Sequence, residues 1–133
     1  MITGILALLT ATSSVSTLVG SRVYVNKAPQ KAALPYVILT QLNSEEYPTL
    51  DGLTSVFRTV TIDADCKGRT FPEVQSLAEA VKALLKDYSG AAGSYTVGAV
   101  LYNGEVHDFE PPSDGSDNGN HVITLDFDIQ YNP

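Results

Sequence analysis

Residues 55–88 read SVFRTVTIDADCKGRTFPEVQSLAEAVKALLKDY, and the spacing of their apolar positions changes once, near the middle. Up to Cys66 the period is two. Val56, Val60, Ile62, Ala64 and Cys66 fall on one face with Arg58 the single polar residue among them, while Phe57, Thr59, Thr61, Asp63 and Asp65 fall on the other. Successive side chains of a strand point to opposite faces, so this pattern predicts a long strand with one packed side and one side wet or against a partner. Lys67, Gly68 and Arg69 break it, and Gly68 is expected to supply a positive φ for a tight turn.

Beyond the turn the period lengthens to that of a helix. Thr70 and Glu73 form a T-x-x-E capping box, and Pro72 falls in the first turn, where a missing N–H is no loss. Val74, Leu77, Ala78, Val81, Leu84, Leu85 and Tyr88 recur at three and four, the stripe of a core-facing helix. Leu77 and Leu84 are expected in the core, and Gly90 and Gly93 are expected to end the helix. The predicted core is one sheet face covered by this helix.

Outward from this unit the same two periods recur. Ile2, Ile5, Leu6 and Leu9 predict a short helix over 2–10, interrupted by the polar cluster Thr10 to Ser14. Val15, Leu18 and Val19 predict a second helical turn, stopped at Gly20. The run ILALLTA has the apolarity of a secretory signal, but the first basic residue is Arg22, and such signals carry a positive leading region. Arg22 to Val25 reads as a short strand and Asn26 to Ala33 as a connector. Pro35 opens an extended run, Tyr36 to Leu42, apolar enough to be buried on both faces.

Asn43 to Thr54 reads as a polar loop with Pro48 and Gly52. Tyr95 to Tyr102 reads as a strand with a bulge at Gly98, Asn103-Gly104 as a two-residue hairpin turn, and Glu105 to Phe109 as the return strand. Glu110 to Asn120, EPPSDGSDNGN, has no large apolar anchor and reads as a long projecting loop. The closing stretch alternates cleanly, with Ile123, Leu125, Phe127, Ile129 and Tyr131 inward and Thr124, Asp126, Asp128 and Gln130 outward. The expected fold is α+β, one domain over 1–133, with a largely antiparallel sheet, one long helix packed on one face and a short N-terminal helix.

Composition narrows the function. A net charge of −7 in 133 residues, from 15 acidic and 8 basic side chains, is the opposite of the basic footprint a general nucleic-acid binder needs. It also disfavours an anionic membrane surface, and no apolar run has the length of a membrane span. The single cysteine, Cys66, excludes an internal disulfide and reads as a small buried hydrophobe. His107 and His121 have no metal-ligand spacing to each other or to Cys66. No G-x-S-x-G, Walker A or G-x-G-x-x-G motif is present, and the glycines at 90–93 follow a helix instead of opening one. No catalytic, cofactor-binding or metal-binding residue is therefore assigned. The one constellation is acidic: Asp63 and Asp65 share the outer face of one strand, Asp126 and Asp128 that of another. If the strands are neighbours, four carboxylates converge on a solvated face, on a face turned to a symmetry mate or pore, or on a divalent cation.

The run Leu18-Val19-Gly20-Ser21-Arg22-Val23-Tyr24, followed by Ala28-Pro29-Gln30 and Leu34-Pro35-Tyr36-Val37, is similar to the opening of the tail-completion (tail terminator) family of long-tailed bacteriophages and prophages. The leucine-rich first helix, a central strand like Arg58 to Asp65, a helix like Glu73 to Leu85 and a closing strand like Ile123 to Ile129 extend the resemblance over nearly the whole chain. It implies a small α+β structural protein without catalytic residues or cofactors, which forms a homo-oligomeric ring, commonly a hexamer. Such a ring caps the tail tube, stops its growth and joins it to the neck. The implied partners are other copies of the chain, the tail tube protein and a neck or connector protein. DNA passes through without specific binding, no membrane is involved, and the location is the virion tail after assembly in the host cytoplasm. A head–tail adaptor and a small divalent-metal-binding module stand as alternatives. The interaction surface is expected at Asp63, Asp65, Asp126 and Asp128, with Glu45 and Glu46 in the first polar loop and Asp114 and Asp117 in the second.

Overall fold

The period change after Cys66 separates a strand from a helix in the computed structural model, which describes residues 1–29, 32–48, 56–111 and 119–132, with the backbone alone at 46–48 and 56–57. The elements are α1 (Ile2–Ala11), α2 (Ser13–Val19), β1 (Val23–Val25), β2 (Tyr36–Pro48), β3 (Val56–Gly68), α3 (Phe71–Leu85), β4 (Gly90–Ala92), β5 (Tyr95–Glu110) and β6 (Asn120–Asn132). The strands form one sheet in the order β1-β2-β3-β6-β5-β4. Only the β1–β2 pairing is parallel; the others are antiparallel. The fold is α+β with a largely antiparallel sheet.

The alternations in β3 and β6 work as one pattern because the two strands are neighbours. Val60, Ile62, Ala64 and Cys66 meet Ile123, Leu125, Phe127 and Ile129 on a single buried face. Val37 and Leu39 extend this face through β2, and Val74, Leu77, Ala78, Val81 and Leu85 of α3 close over it together with Ile5, Leu9, Val15 and Val19. Cys66 is fully buried there, and burial pushes its thiol pKa upward.

Local chemistry sets the helix ends. Thr70 Oγ1 accepts from the Glu73 N–H at 3.4 Å, while Glu73 Oε1 accepts from the N–H of Arg69, also at 3.4 Å. The reciprocal half of the box thus reaches one residue beyond the cap. Between α1 and α2 the hydroxyls of Thr10 and Thr12 donate back to the Leu6 and Leu8 carbonyls at 3.0 and 2.8 Å, and the chain bends by 85°. Among the described residues no single helix is long and apolar enough to cross a membrane. Gly20, at φ 61°, ends α2.

Several expectations are corrected. Gly68 does not use a positive φ; β3 runs through it, and its missing Cβ would lie 2.7 Å from both Glu73 Oε1 and Val74 Cγ2. The glycine is there for the close approach of strand end and helix start. Helix α3 stops at Leu85, ahead of Gly90, with Lys86 as cap and Asp87 at φ 61°; Gly90 begins β4, and Gly93 at φ 60° turns it into β5. Asn103-Gly104 is no hairpin turn. A type I′ turn needs positive φ at both residues, and only Gly104, at 133°, has it. Strand β5 therefore continues past a bulge between Tyr102 and Gly104, and the bulge expected at Gly98 lies between Val97 and Ala99.

Strand β2 likewise continues to Pro48 beyond a bulge at Leu42, so 43–48 is strand where a loop is expected. Backbone pairing with β3 holds it without any need for apolar burial. Leu42 is exposed, so burial of β2 on both faces extends only over Val37–Leu39. The remainder of the first polar loop, 49–54, and residues 112–118 of the second lie outside the described residues.

Leu77 is fully buried, whereas Leu84 only packs partly against the core. Leu77→Ala is expected to cost about 2–5 kcal/mol of stability, the range for truncating a buried leucine. Leu84→Ala should cost less than half as much as Leu77→Ala, and urea denaturation of the two variants measures both.

Candidate functional site

The face of the sheet opposite the helices is where the acids meet. In the β3–β6 register Asp63 lies directly across from Asp126, Thr61 from Asp128, and Asp65 from Thr124. The four carboxylates do converge, but with a threonine set against each outer one. Thr61 Oγ1 donates to Asp128 Oδ1 at 2.7 Å, and Thr124 Oγ1 donates to Asp65 Oδ1 at 2.8 Å. Each of these carboxylates therefore has a hydroxyl donor that keeps its charged form satisfied.

The middle pair has no such donor. Like charges directly opposite on neighbouring strands repel, and Asp63 and Asp126 occupy that arrangement on a half-buried surface. The Asp63 carboxyl is pushed up to about 6, first by burial, then by the charges of Asp126 and Asp65, and finally by its hydrogen bond to Asp126. Asp63 therefore keeps its proton to a higher pH than a free aspartate does. Asp126 Oδ1 is buried and has no hydrogen-bond partner among the described residues.

The surroundings extend the polar face on one side and end it on the other. Toward β2, Thr40 lies beside Asp63, Asn43 beside Thr61 and Glu45 beside Thr59. Asn43 Nδ2 donates to Glu45 Oε1 at 3.4 Å. Toward β5, Leu101 lies beside Asp128 and Val106 beside Thr124, and both are exposed. At one end Lys67 of β3 and Glu110 of β5 form an ion pair of 3.1 Å that crosses β6 near the buried Val122. Glu46 is set opposite Arg58, on the other parity of β2 from Glu45. The Glu46 side chain, Asp114 and Asp117 lie outside the described residues.

A second polar group sits on the helix side. Tyr102 Oη donates to Glu105 Oε1 at 3.0 Å, His107 Nε2 meets Glu105 Oε2 at 2.8 Å, and Lys82 Nζ of α3 lies 3.6 Å from Glu105 Oε1. The His107 hydrogen bond, followed by those from Tyr102 and the charge of Lys82, holds the Glu105 carboxyl below its usual range against the opposing effect of burial. Burial and Glu105 push the Tyr102 phenol up to about 12. Lys82 also lies 4.9 Å from the centre of the Tyr102 ring. This cluster ties β5 to α3. The two histidines rest on aromatic rings: His107 on Phe71, and His121 on Phe71 and Phe109.

Thr61 and Thr124 are the partners of the acidic face that single-strand patterns miss. Their signal is present once the strands are set antiparallel, because T-x-D-x-D in β3 then runs against T-x-D-x-D in β6 and each outer aspartate meets a threonine. Among the described residues no three His, Cys, Asp or Glu side chains are placed to share a metal ion. The face offers charge and hydrogen-bond acceptors.

A family model described as Tail completion protein gp17 matches residues 3–131. Among solved structures, a chain from the virion of a native gene transfer agent particle is similar, with a TM-score of 0.72 and 16% identity over 97% of this chain and 92% of that one. At that identity the likeness is one of fold. No curated protein matches.

Burial of Asp63, reinforced by the charges of Asp126 and Asp65, gives stability a pH dependence. The folded-state pKa of Asp63, about 6, lies above its ordinary value of 3.8, so between these pH values the folded chain holds a proton that the unfolded chain has released. Stability contributed by this group is then greatest at or below about pH 4 and falls as pH rises through about 6. Asp63→Asn is expected to raise the melting temperature at pH 7.5 while changing it little at pH 4. Thermal melts by circular dichroism at the two pH values check this, and an equal shift at both would show that the charge on Asp63 is not the cause.

Proposed function

Because the chain belongs to the tail completion protein gp17 family of phage tail structural proteins, we propose that it is the tail terminator of its particle, one subunit of a ring that caps the tail tube and joins it to the neck. The observation that carries this reading is the family match over 3–131, which leaves no sizeable part of the chain for another role. We read 1–133 as one domain that acts by assembly and not by chemistry, with six copies in the ring. Its partners are further copies, the tail tube protein and a neck or connector protein. It joins the virion tail during assembly in the host cytoplasm.

In this role the face bearing Asp63, Asp65, Asp126 and Asp128 is turned to a pore or a partner, with Glu45, Glu46, Asp114 and Asp117 contributing to contact surfaces. A pore that passes DNA has a physical reason to be negative. Phosphates are repelled from such a wall and do not pause on it, whereas basic side chains would displace counterions and bind. The Thr–Asp ladder supports this reading because it presents acid without a geometry that captures a cation.

Deleting the gene is expected to leave full capsids beside unjoined tails of uncontrolled length, seen by electron microscopy of lysates. Tails of normal length that fail to join would assign the chain to a neck adaptor, and normal joined particles would overturn both readings. The lining is tested separately. Calcium or magnesium is expected to shift the melting temperature no more than sodium at matched ionic strength, since a bound ion stabilises by mass action and a lining responds to screening. A divalent-specific rise abolished by Asp126→Asn would replace the lining with a metal site.

A further inference from the structure

Asn103-Gly104 is not a turn, and the bulge that replaces the turn leaves a reactive pair of groups uncovered. Tyr102 is set opposite Phe127 and Gly104 opposite Asp126, so Asn103 is the extra residue and has no partner in β6. Asn103 is exposed, and among the described residues its side-chain amide makes no hydrogen bond. Gly104 has φ 133°, and nothing lies within 4 Å of the place where a Cβ would stand.

These are the conditions under which an asparagine attacks its own chain. The amide carbon of asparagine is one five-membered ring closure away from the backbone nitrogen of the next residue. Closure is normally hindered by a Cβ on that next residue, by pairing of the backbone, and by hydrogen bonds that pin the amide. Asn43, beside the bulge of β2, shows the hindered case. Its Nδ2 donates to Glu45 Oε1 at 3.4 Å, and its Oδ1 accepts at 2.9 Å from the N–H of Ser44, the nitrogen that would have to attack. At Asn103 all three hindrances are relaxed together.

We propose that Asn103 is a site of spontaneous modification, closing to a succinimide with Gly104 and opening to an acidic residue. The Gly104 nitrogen bonds to Asn103 Cγ, the Cγ–Nδ2 bond breaks, and the nitrogen's proton leaves with Nδ2 as ammonia. Water then opens the imide without any change of oxidation state. Hydrolysis at Cγ gives an aspartyl residue, and hydrolysis at the backbone carbonyl gives an isoaspartyl residue whose chain runs through Cβ and Cγ. Either product adds one negative charge to a chain already at −7, beside the glycine that faces Asp126. The isoaspartyl product also lengthens the backbone of β5 by one atom just before Glu105, the residue that meets Lys82, Tyr102 and His107.

Peptide mapping tests the site. The full chain is held folded at mildly alkaline pH and physiological temperature, with the far-UV spectrum followed throughout, and is then cut with glutamyl endopeptidase. Cleavage after Glu79, Glu105 and Glu110 leaves Asn103 as the only asparagine of fragment 80–105, and Asn118, which also precedes a glycine, falls in another. Fragment 80–105 is expected to gain the mass of an amide-to-acid change, and to accept label from S-adenosylmethionine through an isoaspartyl methyltransferase. Conversion should be about tenfold or more faster than at Asn43, because orientation of the attacking group sets the rate. Asn103→Gln, whose longer amide would need a six-membered ring, is expected to leave this fragment unlabelled. Conversion no faster than at Asn43, conversion only after unfolding in urea, or label that persists in fragment 80–105 of Asn103→Gln would overturn the site.

Discussion

Asp63 facing Asp126 across β3 and β6 is an unfavourable contact, yet it marks the register on which the fold depends. Strand side chains alternate, so a slip of one residue would exchange the two faces of a strand. In the observed register the inward aliphatics of β3 and β6 lie in the core that α3 closes, and the aspartates of both strands lie on the opposite face. A slip of one residue in either strand would send its aspartates beneath the helix, where a charge without a partner costs several kcal/mol. The repulsion between two half-buried carboxylates, eased by the raised pKa of Asp63, is small beside that penalty. The acids thus act on the fold by making the neighbouring registers worse.

The two faces of the sheet are stabilised by different physics. On the helix side, burial dominates, and a charged cluster, Glu105 with His107, Tyr102 and Lys82, links β5 to α3. On the opposite face no helix covers the ladder, and direct hydrogen bonds from Thr61 and Thr124 hold two carboxylates in place. A negatively charged sheet face of this kind suits a structural component of a phage tail.

Much of this was legible in the chain itself. The alternation in Val60–Cys66 and Ile123–Tyr131 and the stripe from Val74 to Leu85 identify the core because burial is decided by periodicity, which sequence records directly. The pairing of Thr61 with Asp128 and Thr124 with Asp65 was not legible from either strand alone, since it exists only when both strands and their register are known. Asn103-Gly104 has the composition of a hairpin turn, but β6 is long enough to pair with all of β5, and that long-range pairing overrides the local preference. Residues 43–48 look like loop for a related reason: an edge extension held by backbone hydrogen bonds needs no apolar side chains. Gly68 shows the same limit, because steric room beside Glu73 and Val74 is a tertiary fact and leaves no local trace.

Cys66 carries one further consequence. A component of a particle released from its host meets reducing surroundings first and oxidising ones afterwards, and disulfide exchange requires an accessible thiolate. The only sulfhydryl of this chain is sealed beneath α3, with its ionisation suppressed. Disulfide exchange therefore has no accessible thiol to start from in the folded subunit, whatever the redox potential around it.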